Sequence, residues 1–145
     1  MKVRDLMVRE LVTASPSETI TQIAYKMREH KVGCIPIVND GRLCGLITDR
    51  DIATKGIAEG LNPLTTRVEA IMIRAPHKIT ADVETEEAAR VFSQCQVRRL
   101  PVVEDGGRLV GMLSVADLAL ELKAYFDGVF PALAAWCRPA GKAVS

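Results

Sequence analysis

The sequence predicts an α/β fold of the α+β type: two pseudo-symmetric β-α-β-β-α repeats, packed sheet to sheet with their helices outside. Three observations predict it. Blocks of sequence recur in the same order, each block fits one strand or helix, and neither half is long enough to bury a good core alone. At 145 residues the chain has room for one compact domain or for two such units that share a core.

The internal repeat covers most of the chain. Two blocks recur 65 positions later and a third recurs 66 positions later: Val3–Met7 as Val68–Met72, Val32–Val38 as Val97–Val103, and Gly45–Ile52 as Gly111–Leu118. The extra position lies in a turn, since Asp40-Gly41 of the first copy becomes Asp105-Gly106-Gly107 in the second. We divide the chain into repeat 1 (1–60), a connector (61–67), repeat 2 (68–122) and a C-terminal extension (123–145).

Local patterns place helices and strands in each copy. Thr19-x-x-Gln22 is a capping box, and apolar residues follow at helical spacing in both copies: Ile20, Ile23, Ala24 and Met27, then Ala88, Val91, Phe92 and Cys95. Strands at 35–38 and 43–47, separated by a glycine turn, predict a hairpin. Thr48-x-x-Asp51 opens another helix that runs toward Gly56, and the second copy repeats this pattern from Leu100 to about Leu122.

The extension after Lys123 belongs to neither repeat. It contains four of the six aromatic residues, namely Tyr125, Phe126, Phe130 and Trp136. So apolar a segment is costly in water, so we expect it to dock on its own domain or on a partner chain. Trp136 could anchor such an interface, and it could equally pack on its own domain.

Composition excludes several classes of function. The net charge of +1 argues against an obligate nucleic-acid binder, and the short apolar runs argue against a membrane span. The N-terminus has no apolar stretch typical of a secretory signal, so we expect a cytoplasmic protein. The cysteines, Cys34, Cys44, Cys95 and Cys137, form no C-x-x-C pair and only two histidines could join them, so no metal site is expected.

The chemically suggestive segment is Gly-x-x-Ser/Thr-x-x-Asp, which ends each hairpin. Thr48 lies where a strand becomes a helix, and a helix N-terminus attracts phosphate through its free N–H groups. Asp51 can accept hydrogen bonds from the vicinal hydroxyls of a ribose. Ser114 and Asp117 offer the same arrangement in the second copy. Ser/Thr-x-x-Asp is also a plain helix cap, and a single copy does not decide between the two interpretations.

Residues 1 to 122 resemble the CBS-domain family, specifically a tandem CBS pair (a Bateman module) of the small stand-alone bacterial kind. The resemblance is carried by Val32-Gly-Cys-Ile-Pro-Ile-Val38 with Gly45-Leu-Ile-Thr-Asp-Arg-Asp51-Ile, and by Val97-Arg-Arg-Leu-Pro-Val-Val103 with Gly111-Met-Leu-Ser-Val-Ala-Asp117-Leu. It implies clefts between the repeats that bind adenosine compounds: AMP, ADP, ATP or S-adenosylmethionine. It also implies a disc-shaped homodimer formed through the helices.

The resemblance assigns roles to residues of both copies. Asp51 and Asp117 would hold ribose hydroxyls, Thr48 and Ser114 would contact phosphate, and further residues would frame the base: Thr13, Ile35 and Pro36, and Thr80, Leu100 and Pro101. Arg50 fits a phosphate contact as well as a solvated helix position, and Arg98-Arg99 is the alternative phosphate contact in the second copy. The spacing from Thr80 to Pro101 is two residues shorter than that from Thr13 to Pro36, so we expect the first site to be the better one.

The function predicted is a non-catalytic sensor of adenosine nucleotides that acts on a regulated protein partner and needs no cofactor. The alternative is a ligand-free dimerisation scaffold in which both Ser/Thr-x-x-Asp segments serve only as caps. An enzyme is not expected, because His30 and His77 have no nucleophile or carboxylate partner at a recognisable spacing.

Overall fold

The computed structural model describes residues 1–136, with side chains for 1–129 and 131. Five helices and six strands follow the repeat, and their bounds are α1 (Val3–Leu6), α2 (Ile20–His30), β1 (Cys34–Asn39), β2 (Arg42–Thr48), α3 (Asp49–Asp51, continued by a π-helical segment Ile52–Ile57), β3 (Ile73–Arg74), β4 (Ile79–Thr80), α4 (Thr85–Cys95), β5 (Arg99–Glu104), β6 (Arg108–Ser114) and α5 (Val115–Trp136). The predicted α+β class with two pseudo-symmetric halves is confirmed. Cys137 and the rest of the extension lie outside the described residues.

Helix α2 begins at the capping box that the sequence predicts. Thr19 Oγ1 accepts a hydrogen bond from the backbone N–H of Gln22 (3.3 Å), and the Gln22 side chain accepts one from the N–H of Thr19 (2.8 Å). This capping box satisfies two donors that the first turn of α2 would otherwise leave unpaired. Ile20 and Ile23 are buried below it. The equivalent helices α2 and α4 each end at a residue in the left-handed conformation, Lys31 and Gln96 respectively.

Two antiparallel hairpins carry the sheet. β1 pairs with β2 and β5 with β6, and both hairpins have a bulge at the same place in the repeat, at Ile37/Val38 and at Val102/Val103. The hairpins meet beside their turns, where Arg42 pairs with Arg108, so the two sheets join into one sheet of six strands. β4 runs parallel to β5, and Ala14 makes the equivalent bridge to β1.

The opening segment of each repeat packs on the other repeat. Val8 bridges to Met112 in β6, whereas β3 pairs with β2. Val3 and Met7 accordingly belong to the core of the second half, and three residues that open repeat 2 belong to the core of the first: Val68, Ile71 and Met72. Each half is therefore completed by the other, which explains how two short repeats bury enough apolar surface.

A glycine in each hairpin allows the opening segment of the other repeat to pack closely against it, a crossed arrangement that we call the exchange of the opening segments. A Cβ at Gly45 would lie 2.5 Å from Met72 Sδ, and a Cβ at Gly111 would lie 2.6 Å from Met7 Sδ. The close approach that a glycine permits in the Gly-x-x-Ser/Thr-x-x-Asp segment is thus used by a methionine of the exchanged segment. The glycine of the signature is explained by packing between the halves.

Helix α5 departs from the repeat. The pattern predicts an end near Leu122, but α5 continues without a break to Trp136. From Glu121 to Val129 the residues are exposed, and Glu121, Leu122 and Tyr125 line a groove together with Leu6 and Phe92 of the second half. The side chains of Phe130 and Trp136 lie outside the described part of the chain.

Candidate functional site

Both signature segments are complete helix caps. Asp51 Oδ2 accepts from the Thr48 N–H (3.0 Å), and Thr48 Oγ1 accepts from the Asp51 N–H (3.1 Å). The second copy repeats the pair, with 2.8 Å from the Ser114 N–H to Asp117 Oδ2 and 3.0 Å from the Asp117 N–H to Ser114 Oγ. Capping thus uses Oδ2 of each carboxylate, and Oδ1 takes no part in the cap.

The second carboxylate oxygen distinguishes the two copies. Asp51 Oδ1 lies 3.2 Å from Lys55 Nζ, and the Asp51 side chain is only 11% exposed. At the position equivalent to Lys55 the second copy has an acid, Glu121. Among the described residues Asp117 Oδ1 has no hydrogen-bond or ion-pair partner, and Asp117 is only half-buried. Asp117 therefore has a free acceptor, whereas Asp51 does not.

The helix starts offer fewer free N–H donors than the sequence suggests. The Asp49 N–H donates to the Gly33 carbonyl (2.9 Å), and the Arg50 N–H donates to the Asp49 carboxylate (2.8 Å). In the second copy the Val115 N–H donates to the Arg98 carbonyl (2.9 Å). These donors are already satisfied within the protein, so attraction of a phosphate depends on side chains.

A cleft of about 280 Å³, here called the central cleft, opens beside Ser114 and Asp117. Both halves contribute to it. Its walls are residues Val8, Glu10, Leu11 and Val12, then Lys31, Val32, Gly33, Cys34 and Pro36, and finally Arg99, Met112, Ser114 and Asp117. The exchange of the opening segments brings 8–12 here, because Val8 is bridged to Met112. The cleft thus combines an apolar wall with two cations and two carboxylates.

Four of the residues predicted from the sequence line the central cleft, namely Pro36, Ser114, Asp117 and the alternative phosphate contact Arg99. Ile35 and Leu100 are fully buried in the cores, and the side chains of Pro36 and Pro101 are also less than 2% exposed. The side chain of Thr13 is half-buried, and its carbonyl accepts from Lys26 Nζ (2.9 Å). Thr80 is exposed and lines a separate surface cavity with Lys78 and Val91. Thr48 and Arg50 lie at the start of α3, half-buried and exposed respectively.

Sequence reasoning missed most of the cleft wall, including Glu10, Lys31, Gly33 and Cys34. The repeat is the signal that could have identified part of this wall. Cys34 and Arg99 are equivalent positions of the two copies, and equivalent positions that lie together lie near the pseudo-twofold axis, where both residues line the central cleft. Burial raises the pKa of the Cys34 thiol to about 11, against the opposing effect of the Arg99 charge. Cys34 is therefore a neutral wall of the cleft at neutral pH, and not a nucleophile.

The repeat offset identifies the residues of the second copy that are equivalent to Gly33 and Cys34 of the central cleft. Gly33 and Cys34 correspond to Arg98 and Arg99, so two arginines stand where the central cleft has a glycine and a thiol. A Cβ at Gly33 would lie 2.9 Å from a carboxylate oxygen of the exposed Asp49, so a side chain at this position would require the Asp49 side chain to move. The two halves are alike in backbone and different in the chemistry that they present.

The described part of the chain has neither a cluster of metal-ligating side chains nor a membrane-spanning helix. Among residues 1–129 and 131, no three His, Cys, Asp or Glu side chains lie close enough together to bind a metal ion. Cys34 lies opposite Thr48 in the hairpin, whereas the Cys44 Sγ–H points to the Ile37 carbonyl (3.3 Å), so the register keeps these two thiols apart. Within residues 1–136 there is no helix of the length and hydropathy that a bilayer crossing requires.

Comparison with known proteins agrees with the repeat. The family model "CBS domain" matches twice, at residues 3–56 and 68–124. An uncharacterized protein of Methanopyrus kandleri is 38% identical over 118 residues, which is 81% of this chain but only 60% of that protein. Hypoxic response protein 1 of Mycobacterium tuberculosis is 39% identical over 120 residues, or 82% of this chain and 83% of that one.

Solved structures share the fold. The crystal structure of Hypoxic Response Protein I, with two coordinated zinc ions, has a TM-score of 0.75 at 39% identity and covers 82% of this chain and 97% of that one. The CBS pair of protein MJ0100, with 5-methylthioadenosine and S-adenosyl-L-methionine, has a TM-score of 0.76 (28% identity; 86% and 98% covered). CBSX2 in complex with AMP has a TM-score of 0.71 at 28% identity and covers 84% of this chain and 98% of that one. A hexameric CBS-CP12 protein from bloom-forming cyanobacteria has a TM-score of 0.72 at 30% identity and covers 82% of this chain and 66% of that one.

The two family matches fall on the two halves that exchange their opening segments, and relatives and structures agree over more than four fifths of the chain. The chain belongs to the CBS-domain family, as a tandem pair of CBS domains.

Proposed function

We propose that this protein is a non-catalytic regulatory module that binds an adenosine-containing ligand in the central cleft. The observation that carries the proposal is the unpaired Oδ1 of Asp117 at the edge of a cleft built by both repeats. A carboxylate with one oxygen fixed by a cap and the other free is held in place to accept hydrogen bonds from ribose hydroxyls. Similar structures that contain AMP, or S-adenosyl-L-methionine with 5-methylthioadenosine, support this ligand class.

The charges of the cleft favour a ligand with a small anionic group. Arg99 and Lys31 are the cations of the wall, and they replace the backbone donors that the protein already uses. An arginine can hold phosphate through two parallel hydrogen bonds. The volume of about 280 Å³ is just below the range of small-molecule sites, roughly 300–1,000 Å³, so a nucleoside or its monophosphate fits better than a triphosphate.

The proposal prefers the second copy, in contrast to the expectation from sequence, which favoured the first. In the first copy, Lys55 neutralises Asp51, and Arg98 stands where the central cleft has Gly33. We assign Thr48 and Asp51 a structural role as the cap of α3. The ligand residues of the proposal are Ser114, Asp117 and Arg99, with Lys31, Cys34 and Pro36 as the remaining wall.

A ligand-free scaffold is the second candidate, and one observation favours it: both caps are complete without any ligand. In either case we propose self-association as a homodimer and action on a regulated protein partner in the cytoplasm. Ligand binding in the sensor would act through different affinities for two states of the module, since a ligand with equal affinity for both changes neither population.

Calorimetric titration with AMP, ADP, ATP, adenosine and S-adenosylmethionine separates the two candidates. Asp117→Asn is the informative variant, because its amide oxygen can still accept from the Ser114 N–H while its other atom becomes a donor. We expect wild type to bind at least one of these ligands and Asp117→Asn to lose more than about tenfold in affinity, since a hydrogen bond to a charged group contributes about 1.5–3 kcal/mol. Asp51→Asn is the matched control and should bind as wild type does.

Thermal melting gives an independent readout of the same experiment. Ligand at about 100 times its dissociation constant stabilises the folded state by about 2.7 kcal/mol. If no adenosine compound bound or raised the melting temperature, the scaffold would replace the sensor. If Asp51→Asn lost binding and Asp117→Asn kept it, the function would stand and the assigned cleft would be wrong.

A further inference from the structure

The wall of the central cleft has four charged residues, and the ribose and phosphate contacts proposed above use only three of them. Arg99 and Lys31 supply the cations, and Asp117 supplies the carboxylate that its cap fixes in place. The fourth charged residue is Glu10, whose side chain is exposed. Within the described part of the chain Glu10 has neither an ion-pair nor a hydrogen-bond partner. Its carboxylate is therefore available to a ligand.

Glu10 reaches the cleft because the opening segment of repeat 1 crosses to the second half. The Val8 N–H donates to the Met112 carbonyl (2.9 Å), and the Met112 N–H donates to the Val8 carbonyl (3.0 Å). The chain returns to the first half at Ala14, whose N–H donates to the Pro36 carbonyl (3.2 Å). Glu10 lies between these two anchors, where the chain borders the cleft.

The same stretch of chain supplies apolar residues to the wall. Val8, Leu11 and Val12 line the cleft, and Val12 also packs against the core of the first half. Small-molecule sites are mostly apolar, with a few placed polar groups that fix the orientation of the ligand. A nucleotide base needs this combination, because its faces are apolar and its edge is polar. We therefore expect the base on the side of the cleft to which Glu10 belongs.

Each polar part of an adenosine monophosphate has a counterpart among the four charges. The phosphate matches Arg99 and Lys31, and the ribose hydroxyls match Asp117. Glu10 is unsuited to the phosphate, because like charges repel. The donor that remains is the exocyclic amino group of adenine, and carboxylates accept hydrogen bonds from the exocyclic amino groups of bases.

We propose that Glu10 accepts a hydrogen bond from the exocyclic amino group of adenine, and that this contact selects adenosine over purine nucleosides without that group. The inference rests on the proposed function and names the residue that reads the base in the same cleft. A ligand without the amino group removes water from the Glu10 carboxylate and offers no donor in exchange, which disfavours its binding. The equivalent residue of the second copy is Ala75, so the repeat itself does not require an acid at this position.

Purine riboside, which is adenosine without its amino group, isolates this contact. Both nucleosides are uncharged, so loss of the Glu10 charge does not act on them through a phosphate. We expect calorimetry to show that wild type binds adenosine at least about tenfold more tightly than purine riboside, since hydrogen bonds to charged groups are among the stronger ones. Glu10→Ala should bind both nucleosides with the affinity that wild type has for purine riboside.

Two variants control for charge and for folding. Glu10→Gln keeps an oxygen acceptor without the charge, so it should retain part of the preference for adenosine. Glu121→Ala is the matched control, because it makes the same change at an exposed glutamate outside the cleft wall, and it should keep the full preference. Thermal melting should show that all three variants are folded.

The outcomes separate this inference from the proposed function. If wild type bound no adenosine compound, both would fall. If Asp117→Asn lost adenosine binding while wild type bound adenosine and purine riboside equally, the sensor would stand and the role of Glu10 would be wrong. A preference for adenosine that persisted in Glu10→Ala would also overturn the role of Glu10 and leave the sensor in place.

Two further ligands test which donor Glu10 recognises. Guanosine offers a carboxylate two donors, its N1–H and its amino group, and S-adenosylmethionine has an ammonium group on its amino-acid part. We expect wild type to prefer adenosine to guanosine, and Glu10→Ala to weaken adenosine and S-adenosylmethionine by the same factor. A preference for guanosine that Glu10→Ala abolished, or a loss confined to S-adenosylmethionine, would assign Glu10 to another donor and overturn the inference.

Discussion

The two Ser/Thr-x-x-Asp segments have the same backbone and different surroundings. Both are capping boxes with nearly equal hydrogen-bond distances. In the first, Lys55 holds the remaining oxygen of Asp51, whereas in the second Glu121 stands at that position and the oxygen of Asp117 faces the central cleft. A motif can thus be duplicated for folding while, among the described residues, one copy alone has an unpaired carboxylate oxygen.

The same lesson applies across the pseudo-twofold axis. Cys34 and Arg99 hold equivalent positions, as do Gly33 and Arg98. Gly33, Cys34 and Arg99 line the central cleft beside the second signature, whereas Arg98 is not part of its wall.

The largest expected effect concerns the reactivity of Cys34. Because burial raises the pKa of its thiol from 9.0 to about 11, the thiolate fraction at pH 8 should be about 100-fold lower than that of an ordinary cysteine. Alkylation followed by mass spectrometry should show Cys34 reacting at least that much more slowly than the same cysteine in the urea-unfolded chain. The rate should rise about tenfold per pH unit up to pH 11.

The raised thiol pKa also sets the sign of a pH dependence. Between pH 9.0 and about 11 the unfolded chain releases the Cys34 proton more readily than the folded one, so stability falls as pH rises through that window. Cys34→Ala should reduce this fall. Rapid alkylation of native Cys34 at pH 8 would show that the wall of the central cleft is open to solvent and would contradict its assigned role.

The next effect is the contribution of Arg99 to binding. Arg99→Ala should weaken AMP binding about tenfold to a hundredfold, because a hydrogen bond between charged groups contributes about 1.5–3 kcal/mol, and should leave adenosine binding nearly unchanged. Arg98→Ala is the control, since its side chain is not part of the cleft wall. Equal losses for AMP and adenosine would mean that Arg99 shapes the cleft without contacting phosphate.

A smaller effect should follow from making the second copy resemble the first. Glu121→Lys places a cation four residues after Asp117, as Lys55 is placed after Asp51. The new pair should compete with ribose and weaken binding up to about fivefold, since exposed pairs contribute about 0.2–1 kcal/mol. Glu121→Gln removes the acid without adding a cation, and calorimetry should find its affinity unchanged. Tighter binding by Glu121→Lys would contradict the competition.

The smallest effect is on folding stability. Removal of a cap costs about 0.5–2 kcal/mol, and Asp51 combines its cap with an ion pair on a side chain that is only 11% exposed. Asp51→Ala should therefore lower the free energy of unfolding by more than Asp117→Ala does, by about 0.5–1 kcal/mol. Urea denaturation measures both. A larger loss for Asp117→Ala would indicate that the second signature is the structural one.

The repeat made much of the fold predictable. The capping box Thr19/Gln22, the apolar faces of α2 and α4 and the two hairpins all depend on local chemistry, and they occur close to the expected bounds. Exchange of the opening segments was not predictable, because pairing of Val8 with Met112 is a long-range contact that no local pattern encodes. The length of α5 was not predictable from the repeat, since the extension has no counterpart in it.

The site was harder to predict for the same reason. Ser114 and Asp117 could be named from a motif, but the rest of the wall comes from segments up to about a hundred residues away in sequence, such as Glu10 and Lys31. Ile35 and Leu100 prove to be core residues, because their strands are buried on both faces and the adjacent Pro36 and Pro101 are buried too. The domain boundaries at 60, 67 and 122 stay predictions.

A crystal structure of the wild-type protein with AMP would show which of the two signatures holds the nucleotide. We expect one nucleotide per chain, in the central cleft, with its ribose hydroxyls bonded to Asp117 Oδ1 and its phosphate near Arg99, and with the Asp51–Lys55 pair intact. A nucleotide bound at Thr48 and Asp51 with the central cleft empty would contradict it.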